Sequence, residues 1–507
     1  MMKEYLLTID QSTSGTKALV IDRAGRIVAR GSVEHSQYYP SAGWVEHDPM
    51  EIYNNVIQSS HAAMKLADIS PGQLAAITIT NQRETAVMWD RSTGLPVYNA
   101  IVWQCQRTAG ACEALKASGQ EAIVRRKTGL MLDPYFSATK WRWILDHVPN
   151  AERLLNERKL LAGTIDSWLL WKLSGGRVHA TDYTNASRTS LFNIRTLEWD
   201  QELCTLFGVP VDILPEVKSS DECFGYTDDS EWFSERVPVA GVVGDSHAAL
   251  FGQFCFAPGS AKATYGTGTS VLMNIGEKPV EAGNGLVLAI AWNMSGKVTY
   301  ALEAVIRTSG DCIKWVRDNL GLFETFQEMD HMLEQAPDNQ GVYLVPAFVG
   351  LGAPYWEPNA RAILSGMNRG TGKAHIVRAA IESIAYQVRD AVGLMEAETG
   401  ITMVGLQADG GASENSLLMQ FQADILERTV VKSEVAELSA MGSAYMGGLG
   451  IGFWASLDDV AIGHNSRRIY KPAMKSAECK RYYEGWKKAV ATALYEAQAH
   501  QSGSGRN

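Results

Sequence analysis

The sequence has few features of a secreted or membrane-spanning protein. Its seven cysteines are scattered, odd in number and without a CxxC pair, which favours idle thiols in a reducing cytoplasm over a disulfide framework. No uninterrupted apolar stretch approaches the ~18–20 residues that span a bilayer. The first ten residues place a charge pair before a short apolar run that ends in Asp10, which predicts a strand and not a signal peptide. We therefore expect a soluble, cytoplasmic protein.

Positively charged residues are also fewer than negatively charged ones. Lys and Arg total 46 against 56 Asp and Glu, a formal net charge of −10. This balance argues against nucleic acid or an anionic membrane as a partner. It does not exclude ATP, whose charge can be met locally by loop amides and a metal ion. At 507 residues the chain is too long for a single core, so we expect two large domains.

Three turns of small residues each follow or adjoin an apolar run. The first lies in residues 5–17 (YLLTIDQSTSGTK), the second in residues 265–270 (YGTGTS), and the third in residues 408–412 (ADGGA). Backbone N–H groups of such loops bind phosphate, and Asp10 at a strand end could hold a metal ion. Three of them across two halves of the chain predict a nucleotide clamped between two domains, and hence an ATP-dependent enzyme.

Apolar periodicity places these loops in an α/β chain with a strand–loop–strand plan in each half. Strands are predicted at 6–10, 18–21, 27–30, 75–80, 85–90, 238–244, 261–265 and 271–274, and helices at 160–173, 247–252 and 371–399, with another after the third loop. We place domain boundaries to give residues 1–253 and 254–497. Residues 498–507 are predicted to be a disordered tail.

Asp245 is the first candidate for a catalytic residue. It follows the apolar strand 238–244 and precedes a predicted helix, with Gly244 and Ser246 on either side. An acid at the rim of a cleft can accept a proton from a substrate hydroxyl, and phosphoryl transfer often uses such a base. The alternative is that Asp245 only caps the helix.

Arg83 and Glu84 also follow a predicted strand. A guanidinium that donates beside a carboxylate that accepts could grip adjacent hydroxyls of a polyol, and Trp103 and Tyr135 could lie against its carbon chain. The alternatives are a surface ion pair and two core aromatics. His247 has no second ligand at metal spacing, so we expect no metal site there.

Together these residues resemble the FGGY family of carbohydrate kinases, and within it the glycerol kinases, over about residues 5–490. The resemblance rests on residues 9–17, 81–85 (NQRET), 101–104 (IVWQ), Gly244-Asp245, 135–143 (YFSATKWRW), 348–356 (FVGLGAPYW), 366–370 (GMNRG) with His375 and Glu382, and 420–426 (QFQADIL). It implies an actin-like fold, in which two ribonuclease-H-like α/β domains with a cleft between them close on ATP·Mg²⁺ and a small polyol or sugar.

The resemblance also implies roles for individual positions. Asp245 matches the catalytic base, and Asp10 matches the residue that holds magnesium, with Asp245 nearby. The nucleotide set is Thr13, Ser14, Gly15, Lys17, Gly266, Thr267, Gly310, Lys314, Gly411 and Asn415. The acceptor set is Arg83, Glu84, Trp103, Tyr135, Asp245, Ser246 and Ser270.

Four residues depart from the glycerol kinase pattern. Ser246 and His247 replace a Gln-Gln pair, Ser270 replaces an aromatic residue, and Lys17 replaces an arginine. The two serines predict a roomier and more polar substrate pocket. The exchange of Lys17 is neutral, since either cation can meet a phosphate.

We therefore expect an ATP-dependent kinase that phosphorylates a terminal hydroxyl of glycerol or a close relative, as a homodimer or homotetramer. One alternative acceptor is a four-carbon polyol such as erythritol, or a pentulose such as xylulose or ribulose. An alternative of another class is an actin-like nucleotide-binding regulator without sugar chemistry. Asp245 together with the acceptor set argues against that class.

Overall fold

The computed structural model describes residues 3–228, 233, 235–435, 437–461 and 467–503. Its strands, in chain order, are β1 Tyr5–Gln11, β2 Gly15–Asp22, β3 Ile27–Glu34, β4 Glu46–His47, β5 Leu74–Asn81, β6 Val87–Asp90, β7 Ala100–Ile101, β8 Leu160–Gly163, β9 Ala180–Asp182, β10 Phe192–Asn193, β11 Glu198–Trp199, β12 Glu216–Lys218, β13 Cys223–Tyr226, β14 Pro238–Gly244, β15 Ser260–Tyr265, β16 Thr269–Gly276, β17 Val287–Met294, β18 Lys297–Ile306, β19 Tyr343–Val345, β20 Ile363–Ser365, β21 Gly405–Asp409, β22 Val430–Ser433 and β23 Arg467–Tyr470.

The helices pack on both halves of this strand framework. They are α1 Pro49–Leu66, α2 Ala109–Ala117, α3 Glu121–Thr128, α4 Ser137–His147, α5 Pro149–Asn156, α6 Ile165–Leu173, α7 Tyr183–Ala186, α8 Gln201–Phe207, α9 Asp245–Gly252, α10 Gly310–Asp318, α11 Phe326–Gln335, α12 Lys373–Thr399, α13 Ser416–Leu426, α14 Leu438–Gly450, α15 Leu457–Ala461 and α16 Ser476–Gly503. Short 3₁₀ turns occur at Pro71–Gln73, Val211–Ile213 and Gly411–Glu414.

Each half is built on one mixed sheet with the same plan. The first sheet has the order β13-β14-β5-β1-β2-β3, and the second has the order β17-β18-β16-β15-β21-β22-β23. In the first, β1 pairs antiparallel with β2 and parallel with β5. In the second, β15 pairs antiparallel with β16 and parallel with β21. This repeated plan confirms the predicted two-domain α/β fold.

The central strands are apolar because helices cover both faces of each sheet. From Leu6 to Gln11 every residue of β1 is buried, and β14 is buried after its first residue. Such continuous runs are typical of strands that lie inside a sheet covered on both sides. They end where the polar loops begin, so the loops of both halves gather along the sheet edges.

Helix α14 joins the two halves closely. It packs against α9, β14, β5 and β1, and a Cβ on Gly442 would lie 1.8 Å from the carbonyl oxygen of Ala248. Only a residue without a side chain allows that approach of two backbones. As a result, the segment that carries Glu437, just before α14, faces the first loop of the first half.

Three predictions of local structure differ from the structure. Residues 160–173 form strand β8 followed by α6 and not one helix, because a continuous apolar run suits a buried strand and a buried helix equally. The helix predicted at 247–252 begins two residues earlier, since Asp245 is the first residue of α9. Helix α16 continues to Gly503, so residues 498–503 are helical and the predicted disordered tail is wrong there. Residues 504–507 lie outside the described part.

Two further observations concern the cysteines and the membrane. The thiols of all seven cysteines are free, and six are buried. Among the described residues, no helix is both long enough and apolar enough to cross a bilayer.

Candidate active site

Three turns, one from the first sheet and two from the second, line adjoining spaces between the halves. In the β1–β2 turn, Ser12 N–H donates to the Gly15 carbonyl at 2.9 Å. In the β15–β16 turn, Gly266 N–H donates to Gly268 O at 2.8 Å, and Gly310 N–H at the start of α10 donates to Gly266 O at 3.0 Å. The third turn, at Gly410, touches the second, since a Cβ there would lie 2.6 Å from Tyr265 O. The sequence-predicted loops are therefore brought together.

One space between the halves, which we call the central cleft, has a volume of about 860 Å³. Charged side chains from both halves line it: Asp10, Lys17 and Asp245 from the first, and Lys262, Asp409, Glu414, Lys432, Glu434, Glu437 and Arg468 from the second. Gly410 and Gly411 add backbone to its wall. Cations, carboxylates and loop backbone in one cleft suit a polyphosphate accompanied by a divalent cation.

A second space, the apolar pocket, opens from the central cleft and has a volume of about 520 Å³. Its walls include Ile313, Phe326 and Met329, which could sandwich a flat aromatic base. Six of the predicted nucleotide residues line it: Gly266, Thr267, Gly310, Lys314, Gly411 and Asn415. Asn415 is fixed in place, because its Oδ1 accepts from Leu418 N at 2.8 Å and its Nδ2 donates to Asp330 at 3.2 Å.

A third space, the side cavity, has a volume of about 400 Å³. All seven members of the predicted acceptor set line it: Arg83, Glu84, Trp103, Tyr135, Asp245, Ser246 and Ser270. The Trp103 and Tyr135 rings pack edge to face, with their centroids 5.4 Å apart. Asp245, Ser246 and Thr264 line both the side cavity and the central cleft, so the two spaces meet at these residues.

The first loop divides its residues between these spaces. Lys17 lines the central cleft, whereas Thr13 lines the side cavity and accepts from the Trp103 indole N–H at 2.9 Å. Ser14 and Gly15 line none of the three spaces. Lys17 is paired with Glu437 of the second half at 2.6 Å, so the two halves touch beside the loop.

Arg83 and Glu84 are not a surface pair. Their side chains are 5% and 1% exposed, because they sit in a buried cluster of four charges with Arg188 and Glu303. Arg83 approaches Glu303 at 3.0 Å, and Arg188 approaches Glu84 at 2.5 Å and Glu303 at 2.8 Å. Burial opposes ionisation of Glu303, but the charges of Arg188 and Arg83 hold its pKa well below the usual range. The floor of the side cavity is thus ionic and fixed.

Asp245 projects from the start of α9 to the junction of the side cavity and the central cleft. Its Oδ1 accepts from Ser246 N–H at 2.6 Å and lies 3.2 Å from Arg83 Nε, and its side chain is 37% exposed. The N-cap of α9 is Gly244, which leaves Asp245 as the first helical residue. The interpretation of Asp245 as an N-cap is therefore wrong, and its carboxylate can meet a bound hydroxyl.

Comparison with known proteins agrees with this geometry. Residues 5–252 match the N-terminal domain, and residues 261–451 the C-terminal domain, of the FGGY family of carbohydrate kinases. The chain belongs to this family. It is therefore an ATP-dependent carbohydrate kinase, and the alternative of a regulator without sugar chemistry is wrong.

The kinase is similar to proteins named glycerol kinase over almost its whole length. It is 51% identical to that of Carboxydothermus hydrogenoformans over 97% of this chain and 99% of the relative, and 49% identical to that of Thermus thermophilus with the same coverage. The crystal structure of Plasmodium falciparum glycerol kinase with ADP matches with a TM-score of 0.92 and 36% identity, over 97% of this chain and 98% of that one. A xylulose kinase from Lactobacillus acidophilus, at 21% identity and a TM-score of 0.86, shares the fold.

The residues fit a magnesium ion that arrives with the nucleotide. Burial raises the pKa of Asp10 to about 7; Lys17 lowers it, and the charges of Asp245 and Glu437 raise it further. A divalent cation would relieve that cost, since it favours the ionised carboxylate. No group of three or more His, Cys, Asp or Glu side chains in the described residues could hold a metal by itself. Mg²⁺ usually takes one or two carboxylates together with phosphate and water, which is the set available here.

Sequence reasoning missed three buried residues of this kinase site. Arg188 and Glu303 complete the ionic floor. Lys262 is 1% exposed, lines the central cleft, and its ammonium donates to Thr264 Oγ1 at 2.8 Å. The available signal for Lys262 was a charged residue inside an otherwise apolar part of β15, between Ala261 and Ala263. Arg188 and Glu303 carry no local signal, because their partners are distant in the sequence.

Proposed function

We propose that this kinase transfers the γ-phosphoryl group of ATP, with Mg²⁺, to a terminal hydroxyl of a small polyol, glycerol or a close relative. The observation that carries the proposal is the position of Asp245, where the side cavity opens into the central cleft. An acceptor in the side cavity would place a hydroxyl between Asp245 and a phosphate in the central cleft. The glycerol kinase names of relatives about half identical to this chain support a polyol of this size.

The acceptor is held by the side cavity. Arg83 donates and Glu84 accepts, which suits two neighbouring hydroxyls, and the Trp103 and Tyr135 rings lie against the carbon chain. The buried ionic floor fixes these groups before the substrate arrives, so little rearrangement is needed on binding. Arg83 also contacts Asp245 at 3.2 Å, which orients the carboxylate that accepts the hydroxyl proton.

The nucleotide lies across the other two spaces. Its base enters the apolar pocket beside Asn415, and its phosphates follow Gly266, Thr267, Gly310 and Gly411 into the central cleft. Lys17 and Lys262 place positive charge where phosphoryl transfer builds up negative charge. Asp10 and Asp245 would hold the magnesium ion, which when bound neutralises phosphate charge.

Assembly and location follow from the family resemblance and the composition. We propose a homodimer or homotetramer in the cytoplasm. Size-exclusion chromatography with light scattering would give the mass of the assembly. A single peak at the 55.4 kDa of the monomer would contradict this part of the proposal.

A coupled ADP-release assay with purified protein, ATP and Mg²⁺ tests the proposed reaction. The acceptors are glycerol, dihydroxyacetone, erythritol, threitol, ribitol, arabitol and both enantiomers of ribulose and xylulose. Acceptor-dependent ADP release with at least one of them, absent without acceptor, supports the proposal. ADP release that is indifferent to every acceptor would contradict it.

A further inference from the structure

One wall of the side cavity comes from the second half and takes no part in the grip just described. Thr264 lies opposite Ser270 across β15 and β16, and Ser270 lies opposite Val305 across β16 and β18. Directly opposed residues of neighbouring strands present their side chains on the same face of a sheet. All three line the side cavity. They form a row across three strands, which we call the strand row.

The strand row begins at Thr264, beside the place where the phosphoryl group would be transferred, and extends away from that place. Thr264 lines both the side cavity and the central cleft, as Asp245 does. Neighbouring strands are about 4.8 Å apart, so three strands carry the row over roughly 10 Å. With single bonds of about 1.5 Å, extended glycerol measures only about 5 Å between its outer oxygens. Glycerol held at Asp245 therefore leaves the distant part of the row without a partner.

Ser270, in the middle of the row, is prepared to accept a hydrogen bond. Its hydroxyl donates to Glu303 Oε1 at 3.2 Å, and Glu303, 1% exposed, is held in turn by Arg83 and Arg188 at 3.0 and 2.8 Å. Because the proton of Ser270 is committed to this anchored carboxylate, its lone pairs are left for a donor in the cavity. The small side chain also leaves room for another carbon.

We propose that Ser270 binds a hydroxyl on a fourth carbon of the acceptor, and that the preferred acceptor is a linear polyol of four or five carbons. This proposal rests on the proposed function and narrows its substrate. Val305 is 40% exposed and lies beyond Ser270 in the row, so it offers an apolar surface to the carbon chain. Arg83 links Asp245 to the partner of Ser270, since its Nε approaches Asp245 and its Nη2 approaches Glu303.

The test is the ratio of kcat/KM for erythritol or ribitol to kcat/KM for glycerol, in the wild type, Ser270→Ala and Ser270→Phe. In the wild type we expect kcat/KM for erythritol or for ribitol to be about ten times that for glycerol. Ser270→Ala removes the hydrogen bond, so we expect this ratio to fall about tenfold. Ser270→Phe should lower the ratio further, because the ring fills the row. Ser118→Ala is the matched control. Ser118 is exposed and its hydroxyl donates to Leu115 O of its own helix at 2.9 Å. The ratio of kcat/KM values in Ser118→Ala should therefore stay within roughly twofold of the wild-type ratio.

Each outcome decides one proposal. A wild-type ratio below one for both longer acceptors, or Ser270 variants that slow all acceptors by the same factor, would overturn the fourth-carbon site while leaving the kinase reaction intact. No turnover of any acceptor would instead remove the proposed function, and this inference with it. Calorimetric titration of ADP into each variant shows whether the fold and nucleotide site are retained, and Ser270→Ala decides the matter if Ser270→Phe binds no ADP.

Discussion

Asp245 and Arg83 have opposite charges and meet where the central cleft opens into the side cavity. They lie 3.2 Å apart, and each has groups left over after this contact. Arg83 donates to Glu303 through its other two nitrogens, at 3.4 and 3.0 Å. In the proposed reaction the second oxygen of Asp245 accepts the hydroxyl proton. At the scale of the residue, the proposed reaction requires this carboxylate to accept a proton.

We expect Asp245→Asn to lower kcat by about 10²–10⁴-fold, the usual contribution of a general base. The amide is nearly isosteric but cannot take the proton. Binding of ADP, measured by calorimetry without magnesium, should change little, because other residues form the proposed sites for the base and the phosphates. Near-normal turnover by Asp245→Asn would remove Asp245 from the role of base.

At the scale of the element, the proposed nucleotide site is formed by turns that touch each other. Gly310 opens α10 directly against the β15–β16 turn, and a Cβ at Gly310 would lie 2.6 Å from Gly266 O. A contact that short forces one of the two backbones to move. Both backbones line the apolar pocket, so the displacement is expected to reach the nucleotide.

Gly310→Ala should therefore raise the KM for ATP by about tenfold or more, as expected for a loss near 1.4 kcal/mol of binding energy, with less effect on the KM for the acceptor. Gly393→Ala is the matched control. Gly393 lies in α12 and a Cβ there meets no atom within 4 Å, so its substitution should leave both constants unchanged. Equal effects of the two variants would contradict this account of Gly310.

Helix α6 supplies a second prediction at this scale. Asp166 is fully buried near its start and accepts from the hydroxyls of Thr164 and Thr181. Burial raises its pKa from 3.8 to about 6, although these hydrogen bonds oppose the shift. Since the folded-state pKa lies above the unfolded value, ionisation of Asp166 costs stability, and this cost develops as pH rises from about 3.8 to about 6.

Asp166→Asn removes that dependence. The free energy of unfolding of the variant minus that of the wild type should rise by roughly 2–3 kcal/mol between pH 4 and pH 7, at about 1.4 kcal/mol per pKa unit. Urea denaturation across this range measures the difference. A difference that stays constant, or falls, with rising pH would show that the carboxyl of Asp166 is not destabilised by burial.

At the scale of the whole molecule, a buried ionic cluster joins the two halves beneath the side cavity. Arg83, Glu84 and Arg188 come from the first half, and Glu303 comes from β18 of the second. Lys17 and Arg30 are paired in the same way with Glu437, at 2.6 and 3.0 Å. The side cavity and the central cleft are therefore complete only while the halves are held together.

Glu303→Gln leaves Arg83 and Arg188 partly unpaired in a buried site, so we expect a loss of about 3–5 kcal/mol in unfolding free energy and a higher KM for the acceptor. Denaturant unfolding and steady-state kinetics measure the two effects. Glu113→Gln breaks an exposed pair with Lys116 and should cost no more than about 1 kcal/mol. A Glu303→Gln variant as stable as Glu113→Gln would contradict the role of the cluster.

The sequence by itself determined the fold class, the three loops and most of the residues around them. These signals are local. An apolar run that leads to Asp10 or Asp245, a turn of small residues, and the apolar face of α12 are all recognised from neighbouring positions. Local reading failed where one pattern suits two structures, as at residues 160–173, and where polar composition suggested disorder in a segment that α16 includes.

Tertiary structure alone decided how these parts combine. Arg188 and Glu303 are 115 positions apart, and no local pattern indicates that they pair under Glu84 and Arg83. From the sequence alone Arg83 and Glu84 could be a surface ion pair, but in the structure they are buried and form part of the fixed ionic cluster. Only the packing of the two domains removes those charges from water. The strand row of Thr264, Ser270 and Val305 likewise exists only through pairing of β15, β16 and β18. The sequence indicated the type of reaction, whereas contacts between distant segments formed the cavity in which we propose that it occurs.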